Sequence, residues 1–121
     1  MKPGKTGLTR LIHAARYSGK GFRFAWRNEA AFRQELLLGA LLIPLAFRVG
    51  NTPAEVSLLI GTWFLVLVTE LLNTAVEAVV DRIGPEHHRL AGHAKDLGSA
   101  AVAASLLMAL AIWIIVLCGG G

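Results

Sequence analysis

A stripe of acids and one amide marks residues 69–82 of the chain. Its members are Glu70, Asn73, Glu77 and Asp81. On a helix of 3.6 residues per turn they fall within an arc of about 80°. The surrounding residues are apolar enough for a membrane, where an ionised carboxylate that faces lipid is strongly destabilised. The stripe is therefore expected to face protein, a cation or water, and three acids on one face indicate function.

Two further segments carry charges that complement the stripe. The segment WRNEAAFRQE contains Glu29 and Glu35, with arginines beside them. The segment AKDLGSAA contains Lys95 and Asp96. Each segment begins a predicted span at the membrane boundary that the acid stripe approaches. Acids, a lysine and arginines are therefore expected to meet where water meets lipid.

This mixture of side chains suits a phosphate and a divalent cation. Mg²⁺ is usually held by one or two carboxylates together with substrate phosphates, while lysine and arginine neutralise phosphoryl charge. Glu70 lies deepest, where a lipid hydroxyl would sit, and is the candidate general base. Phosphorylation of a membrane lipid by a nucleotide fits these residues. The sequence has no Walker A loop and no Gly-rich loop of the soluble-kinase type, so any nucleotide site is expected to differ from both.

The elements that position these residues are predicted to be membrane-spanning helices. Apolar residues make up 55% of the 121 residues, and the mean hydropathy is +0.57. We predict one all-α membrane domain over residues 1–121, with spans at about 29–49, 54–82 and 94–118. Thr52 is the expected N-cap of the second span, with Pro53 after it. Residues 83–93 are expected to connect the second and third spans.

Residues 5–27 are predicted to form an amphipathic helix on the membrane surface. Apolar residues recur there at helical spacing, and lysines and arginines form a separate stripe that anionic lipid would attract. Gly19 and Gly21 predict a break in this helix, which is either a simple hinge or bare backbone that a ligand approaches. The aromatic residues typical of a membrane-interface belt are Tyr17, Trp26, Trp63 and Trp113.

The distribution of positive charge predicts the orientation. Eight of the twelve lysines and arginines precede residue 34, one lies between the first and second spans, and three lie between the second and third. The positive-inside rule then places the N-terminus and the second connection in the cytoplasm. We expect a multi-pass membrane protein without a cleavable signal peptide, and no nucleic acid as a partner.

With these motifs the sequence resembles the prokaryotic diacylglycerol kinase family of small membrane enzymes, over essentially the whole chain. The matching segments are AWRNEAAFRQE, ELLNTAVEAVVDRIG and AKDLGSAAV. The resemblance implies a homotrimeric helical bundle, with three spans and a surface helix in each subunit. It implies active sites between neighbouring subunits at the cytoplasmic interface. The implied reaction transfers the γ-phosphoryl group of ATP to diacylglycerol, with Mg²⁺, and gives phosphatidic acid.

The resemblance also implies roles for individual residues. Glu70 matches the general base, and Asn73 is expected to support it. Glu29 and Glu77 match the metal-binding carboxylates. The implied ATP-binding residues are Arg10, Tyr17, Glu29, Glu77, Glu86, His88, Lys95 and Asp96. The implied lipid-binding residues are Arg10, Ala14, Ala15, Arg16, Ser18, Glu35, Glu70 and Ser99.

Three alternatives remain open at the level of sequence. A related branch of the family phosphorylates undecaprenol, and the matching segments do not separate the two substrates. A small proton- or cation-coupled transporter also carries intramembrane acids, but the outer part of the second span, residues 56–67, has no ionisable residue. A non-catalytic assembly subunit would leave the lysine and the acid stripe without a joint purpose.

Overall fold

The computed structural model of the chain describes residues 6–83 and 89–119. Within these residues the fold is entirely helical. The helices are α1 (Gly7–Asn28), α2 (Ala30–Val49), α3 (Pro53–Ile83) and α4 (Arg89–Gly119). The last three are long and apolar enough to cross a membrane, which confirms the prediction of an all-α chain with three spans.

Helix α1 continues through both of its central glycines, so the predicted break in it is wrong. A glycine in a helix interior costs only about 1 kcal/mol relative to alanine, which weakens a helix without ending it. A side chain added at Gly19 or Gly21 would enter open space, so packing within the chain does not require glycine at either position.

A single residue, Glu29, separates α1 from α2. Its backbone is extended, with φ −121° and ψ 107°, and its N–H donates to the Ala25 carbonyl oxygen at 2.9 Å. The Arg33 guanidinium reaches back from α2 and donates to the Trp26 carbonyl oxygen at 2.7 Å. Both bonds satisfy carbonyl groups that the end of α1 leaves without helical partners. The corner that carries Glu29 is therefore held from both helices.

The start of α3 is capped by its own sequence, as predicted. The Glu55 N–H donates to Thr52 Oγ1 at 3.1 Å, and the Glu55 carboxylate accepts the Asn51 N–H at 2.8 Å. Pro53 occupies the first helical position, where its missing N–H costs nothing. These contacts set where α3 begins, and therefore where its acid stripe falls along the helix.

Helix α4 begins at Arg89, so the predicted connection between α3 and α4 is wrong for residues 89–93. Arginine, leucine and alanine are good helix formers, and they carry the helix through Gly92. Lys95 consequently lies within α4 rather than at its start.

Two buried clusters hold the helices together, with α3 in contact with both α2 and α4. The cluster closer to the acid stripe, called the near cluster, consists of Ala25, Phe32, Trp63 and Leu67, from the first three helices. The far cluster consists of Ala46, Leu59 and Val116, from the last three. Trp63 is only 7% exposed, so the interface-belt prediction is wrong for this tryptophan, whereas Trp26 is 46% exposed.

Candidate active site

The structure gathers three of the predicted carboxylates around Glu70, which lies in the C-terminal half of α3. Glu70 interacts electrostatically with Glu29 at the corner, with Glu77 on its own helix and with Glu35 in α2. All four residues are partly buried. We call this group the glutamate cluster. Residues that are far apart in sequence thus meet where the first two spans run side by side.

The glutamate cluster has the composition of a cation site. Like charges at interaction distance repel each other, and partial burial weakens the screening by water. Oxygen ligands of this kind suit Mg²⁺. Among residues 6–83 and 89–119, no group of three or more potential ligands forms a ready metal cage. Mg²⁺ bound together with a nucleotide needs only one or two carboxylates from the protein, so Glu29 and Glu77 fit this ion.

An ion pair joins α3 to α4 at the end of the acid stripe. Lys95 Nζ lies 2.8 Å from Asp81 Oδ1, and the same ammonium interacts electrostatically with Glu77. The side chains of Lys95 and Asp81 are 45% and 66% exposed, so water screens the pair and it adds little to stability. The ammonium is thus held beside the glutamates while it remains open to a phosphate.

The Asn73 side chain packs against the backbone of α4 at Gly98. A Cβ on Gly98 would overlap Asn73 Oδ1. This oxygen is buried and accepts no hydrogen bond from the described part of the chain. A buried acceptor without a donor costs about 1–3 kcal/mol, so a donor from a ligand, a water or a second chain would stabilise this side chain. The two residues line a cleft of about 380 Å³ between α3 and α4.

A second cleft, of about 390 Å³, lies between α1 and α3. Ser18 lines it from α1, and Leu71 and Thr74 line it from α3. The rest of its surface is mainly apolar. The predicted lipid-binding Ser18 is thereby brought to the turn of α3 that follows Glu70.

The structure does not draw the remaining predicted residues into the glutamate cluster. They are exposed on α1 and α4: Arg10, Ala14, Ala15, Arg16, Tyr17, Asp96 and Ser99. The Tyr17 ring lies against the His13 ring, with their centroids 6.3 Å apart. Glu86 and His88 lie outside the described residues.

One contact of the site escaped the sequence analysis. The Trp63 indole N–H donates to the backbone carbonyl oxygen of Glu35 at 2.7 Å. The indole ring lies against Gly39, where a Cβ would overlap it. The signal was a glycine on one span facing a large ring on another, and neither helix reveals that pairing by itself.

The chain matches the family model described as prokaryotic diacylglycerol kinase over residues 16–117. It is 51% identical to a diacylglycerol kinase of Haemophilus influenzae, over 89% of this chain and 92% of that protein. It is 50% identical to a diacylglycerol kinase of Escherichia coli K12, over 97% and 96% of the two chains. A diacylglycerol kinase of Pseudomonas aeruginosa is 47% identical, over 96% and 94%.

The family match begins within α1, includes the whole glutamate cluster and ends within α4. This match and the three relatives confirm the family and the enzyme class that the three sequence segments predicted. The chain belongs to the prokaryotic diacylglycerol kinase family.

Proposed function

We propose that the chain transfers the γ-phosphoryl group of ATP to the free hydroxyl group of diacylglycerol and so produces phosphatidic acid. The observation that carries this proposal is the gathering of three further glutamates around Glu70, which belongs to a membrane-spanning helix. The family match supports it, because the three relatives named above are diacylglycerol kinases. An acid stripe within an apolar helix suits a reaction between a lipid and a charged co-substrate.

Glu70 acts as the general base in this proposal. Its carboxylate accepts the hydroxyl proton of the lipid as the hydroxyl oxygen attacks the γ-phosphorus, and the bond from that phosphorus to the β–γ bridging oxygen breaks to release ADP. Partial burial supports this role, since it keeps bulk water from competing for the same carboxylate. Asn73, one turn further along α3, supports the base by keeping α4 close.

The metal-binding carboxylates are Glu29 and Glu77. Bound there, Mg²⁺ would neutralise the negative charge of the ATP phosphates. The corner bonds keep Glu29 in place, and the neighbouring Lys95 supplies a positive charge for the same phosphates. The proposed ATP-binding residues are Arg10, Tyr17, Glu29, Glu77, Glu86, His88, Lys95 and Asp96.

The lipid approaches from the membrane side of the same site. The mainly apolar cleft between α1 and α3 supports this route, because it opens next to the turn that carries Glu70. The proposed lipid-binding residues are Arg10, Ala14, Ala15, Arg16, Ser18, Glu35, Glu70 and Ser99.

The chain is proposed to work as a homotrimer in the bacterial inner membrane, with its N-terminus in the cytoplasm and α1 on the membrane surface. Large apolar side chains are exposed along the three long helices, which suits contact with lipid or with another subunit. The predicted nucleotide residues Arg10, Tyr17 and Asp96 are exposed and lie outside the glutamate cluster. A neighbouring subunit would bring such residues to each cluster.

The test is an assay of ATP-dependent lipid phosphorylation by purified protein in mixed micelles. Diacylglycerol and undecaprenol are compared as substrates, and Mg²⁺ is titrated for the native protein and for Glu77→Gln. We expect phosphatidic acid as the product. We also expect Glu77→Gln to raise the Mg²⁺ concentration for half-maximal rate about tenfold, equivalent to about 1.4 kcal/mol of binding free energy.

The outcomes separate the parts of the proposal. A preference for undecaprenol would keep the chemistry and contradict the substrate. An unchanged Mg²⁺ requirement in Glu77→Gln would remove Glu77 from the metal site. Failure of the folded protein to phosphorylate either lipid would contradict a kinase and favour a transport function for the acids.

A further inference from the structure

Trp63 makes a contact that helix stability alone does not require. The Glu35 carbonyl oxygen already has a helical partner in the N–H four residues later, which belongs to Gly39. The Trp63 indole N–H adds a second donor to the same oxygen, at 2.7 Å. This second bond runs between helices, and it ties α2 to α3 at the residue whose carboxylate interacts with Glu70.

The indole ring is held by contacts with α2 and with its own helix. Trp63 belongs to the near cluster with Phe32 and Leu67, and it makes an edge contact with Phe64 at a centroid distance of 4.8 Å. On the α2 side the ring occupies the space that a side chain at Gly39 would take. A rigid ring with a fixed N–H direction makes a precise spacer between two helices.

The Trp63 ring contacts the helix of Glu35 and belongs to the helix of Glu70, so it links the positions of these two glutamates. Trp63 and Glu70 are seven residues apart, so they lie on one face of α3 and about 10 Å apart along its axis. Side chains of a helix tilt toward its N-terminus. The Glu35 carboxylate therefore lies closer to the N-terminal end of α2 than the Glu35 carbonyl oxygen that accepts the indole hydrogen bond. That end of α2 lies beside the C-terminal half of α3, where Glu29 and Glu35 both interact with Glu70.

We propose that Trp63 is a positioning residue for lipid recognition. Seated on Gly39 and bonded to the Glu35 backbone, it sets the height of the Glu35 carboxylate relative to Glu70. The inference rests on the proposed function, because it takes Glu35 as a contact of the lipid. In this role Trp63 acts through Glu35 and not through a bond of its own to either substrate.

The test is a double-mutant cycle read out as separate KM values for diacylglycerol and for ATP. The variants are Trp63→Phe, which keeps a ring but removes the N–H donor, Glu35→Ala, and the two together. Gly39→Ala provides a second route, since it displaces the ring while the N–H remains. Trp113→Phe is the matched control, because Trp113 lines the cleft next to Trp63 from α4.

We expect Trp63→Phe and Gly39→Ala each to raise the KM for diacylglycerol about three- to tenfold, the range that the loss of one hydrogen bond gives. The KM of these variants for ATP should stay at the native level. Both KM values of Trp113→Phe should also stay native. In the Glu35→Ala background, Trp63→Phe should have no further effect, because the residue acts through Glu35.

Each other outcome overturns a defined part. If Glu35→Ala raises the lipid KM but Trp63→Phe multiplies it again in full, the positioning role is wrong and the proposed function stands. If neither KM value of Trp63→Phe differs from that of Trp113→Phe, Trp63 is only a packing residue. If Glu35→Ala leaves the lipid KM unchanged, the lipid contact in the proposed function is wrong and the inference is wrong with it.

Discussion

The two halves of α3 are built in opposite ways. Around Leu59 the helix is sealed: Leu59 and its α2 neighbour Ala46 are 0% exposed, and Thr62 is 3% exposed. The Thr62 hydroxyl donates to the Leu59 carbonyl oxygen at 2.8 Å, so this polar group is satisfied within its own helix. Around Glu70 the helix is open, with partly exposed glutamates and an Asn73 oxygen that accepts no hydrogen bond from the described residues.

Contacts among the described residues of one chain compensate the buried groups of one half of α3 but not all the charges of the other half. On the side that faces α2 and α4, the N-terminal half of α3 is buried by contacts with these helices, and its Thr62 hydroxyl is satisfied within α3. The C-terminal half gathers like charges, and within residues 6–83 and 89–119 the side chain that compensates them is the exposed Lys95. Such a half is suited to receive a cation, phosphates and groups from a neighbouring subunit. Substitutions in the two halves should therefore act on different properties.

The largest effect on stability is expected in the sealed half, from Leu59→Ala. A fully buried leucine leaves a cavity when it is truncated, and the free energy of unfolding should fall by about 2–5 kcal/mol. The turnover of the protein that remains folded should match the native value, because Leu59 lies outside the glutamate cluster. Unfolding in micelles, followed by circular dichroism, measures the first quantity. A loss below about 1 kcal/mol would contradict the tight packing of this half.

Gly98→Ala is expected to lower both the free energy of unfolding and the turnover, with a smaller loss of stability than Leu59→Ala. The added Cβ overlaps Asn73 Oδ1 and must displace the Asn73 side chain or α4, which should lower the free energy of unfolding by about 1–3 kcal/mol and also reduce turnover. Gly92→Ala is the matched control on the same helix, since nothing lies within 4 Å of its added Cβ. That control should stabilise the protein by up to about 1 kcal/mol. Equal effects from both substitutions would show that Asn73 does not pack on Gly98.

The smallest effect is expected from Thr69→Val, at the border between the two halves. Thr69 Oγ1 lies 2.9 Å from Ser105 Oγ of α4, and each hydroxyl also lies near a carbonyl oxygen of its own helix. Each hydroxyl has one proton, so one of them donates across and the other donates within its helix. Loss of such a bond between membrane helices should cost about 0.6 kcal/mol. Thr69→Ser keeps the hydroxyl and should match the native protein in the same unfolding measurement.

The stripe and the helices could be predicted because each depends on one segment alone. Helical spacing places Glu70, Asn73 and Glu77 on one face whatever surrounds them, and the apolar length of each span follows from composition. The cap at Thr52 is local in the same sense, and the structure contains it.

The contacts between helices could not be predicted, because they depend on the register of one helix against another. The Trp63–Gly39 and Asn73–Gly98 pairs join residues that no single periodic pattern connects. The two wrong helix boundaries have a different cause. At Gly19 and at residues 89–93 the local helix breakers are weak, and the continuous backbone hydrogen bonding of a long helix overrides them.

Two isosteric variants of α3 test whether its open half is the catalytic one. Their turnover is compared: Glu70→Gln lies in the open half and Glu55→Gln in the sealed half. Glu55 caps the first turn through an acceptor oxygen that glutamine retains. Removal of a general base should lower kcat for diacylglycerol phosphorylation by about 10²- to 10⁴-fold in Glu70→Gln. Glu55→Gln should keep native turnover. Native turnover in folded Glu70→Gln, or equal losses in both variants, would contradict the assignment of the open half as the catalytic one.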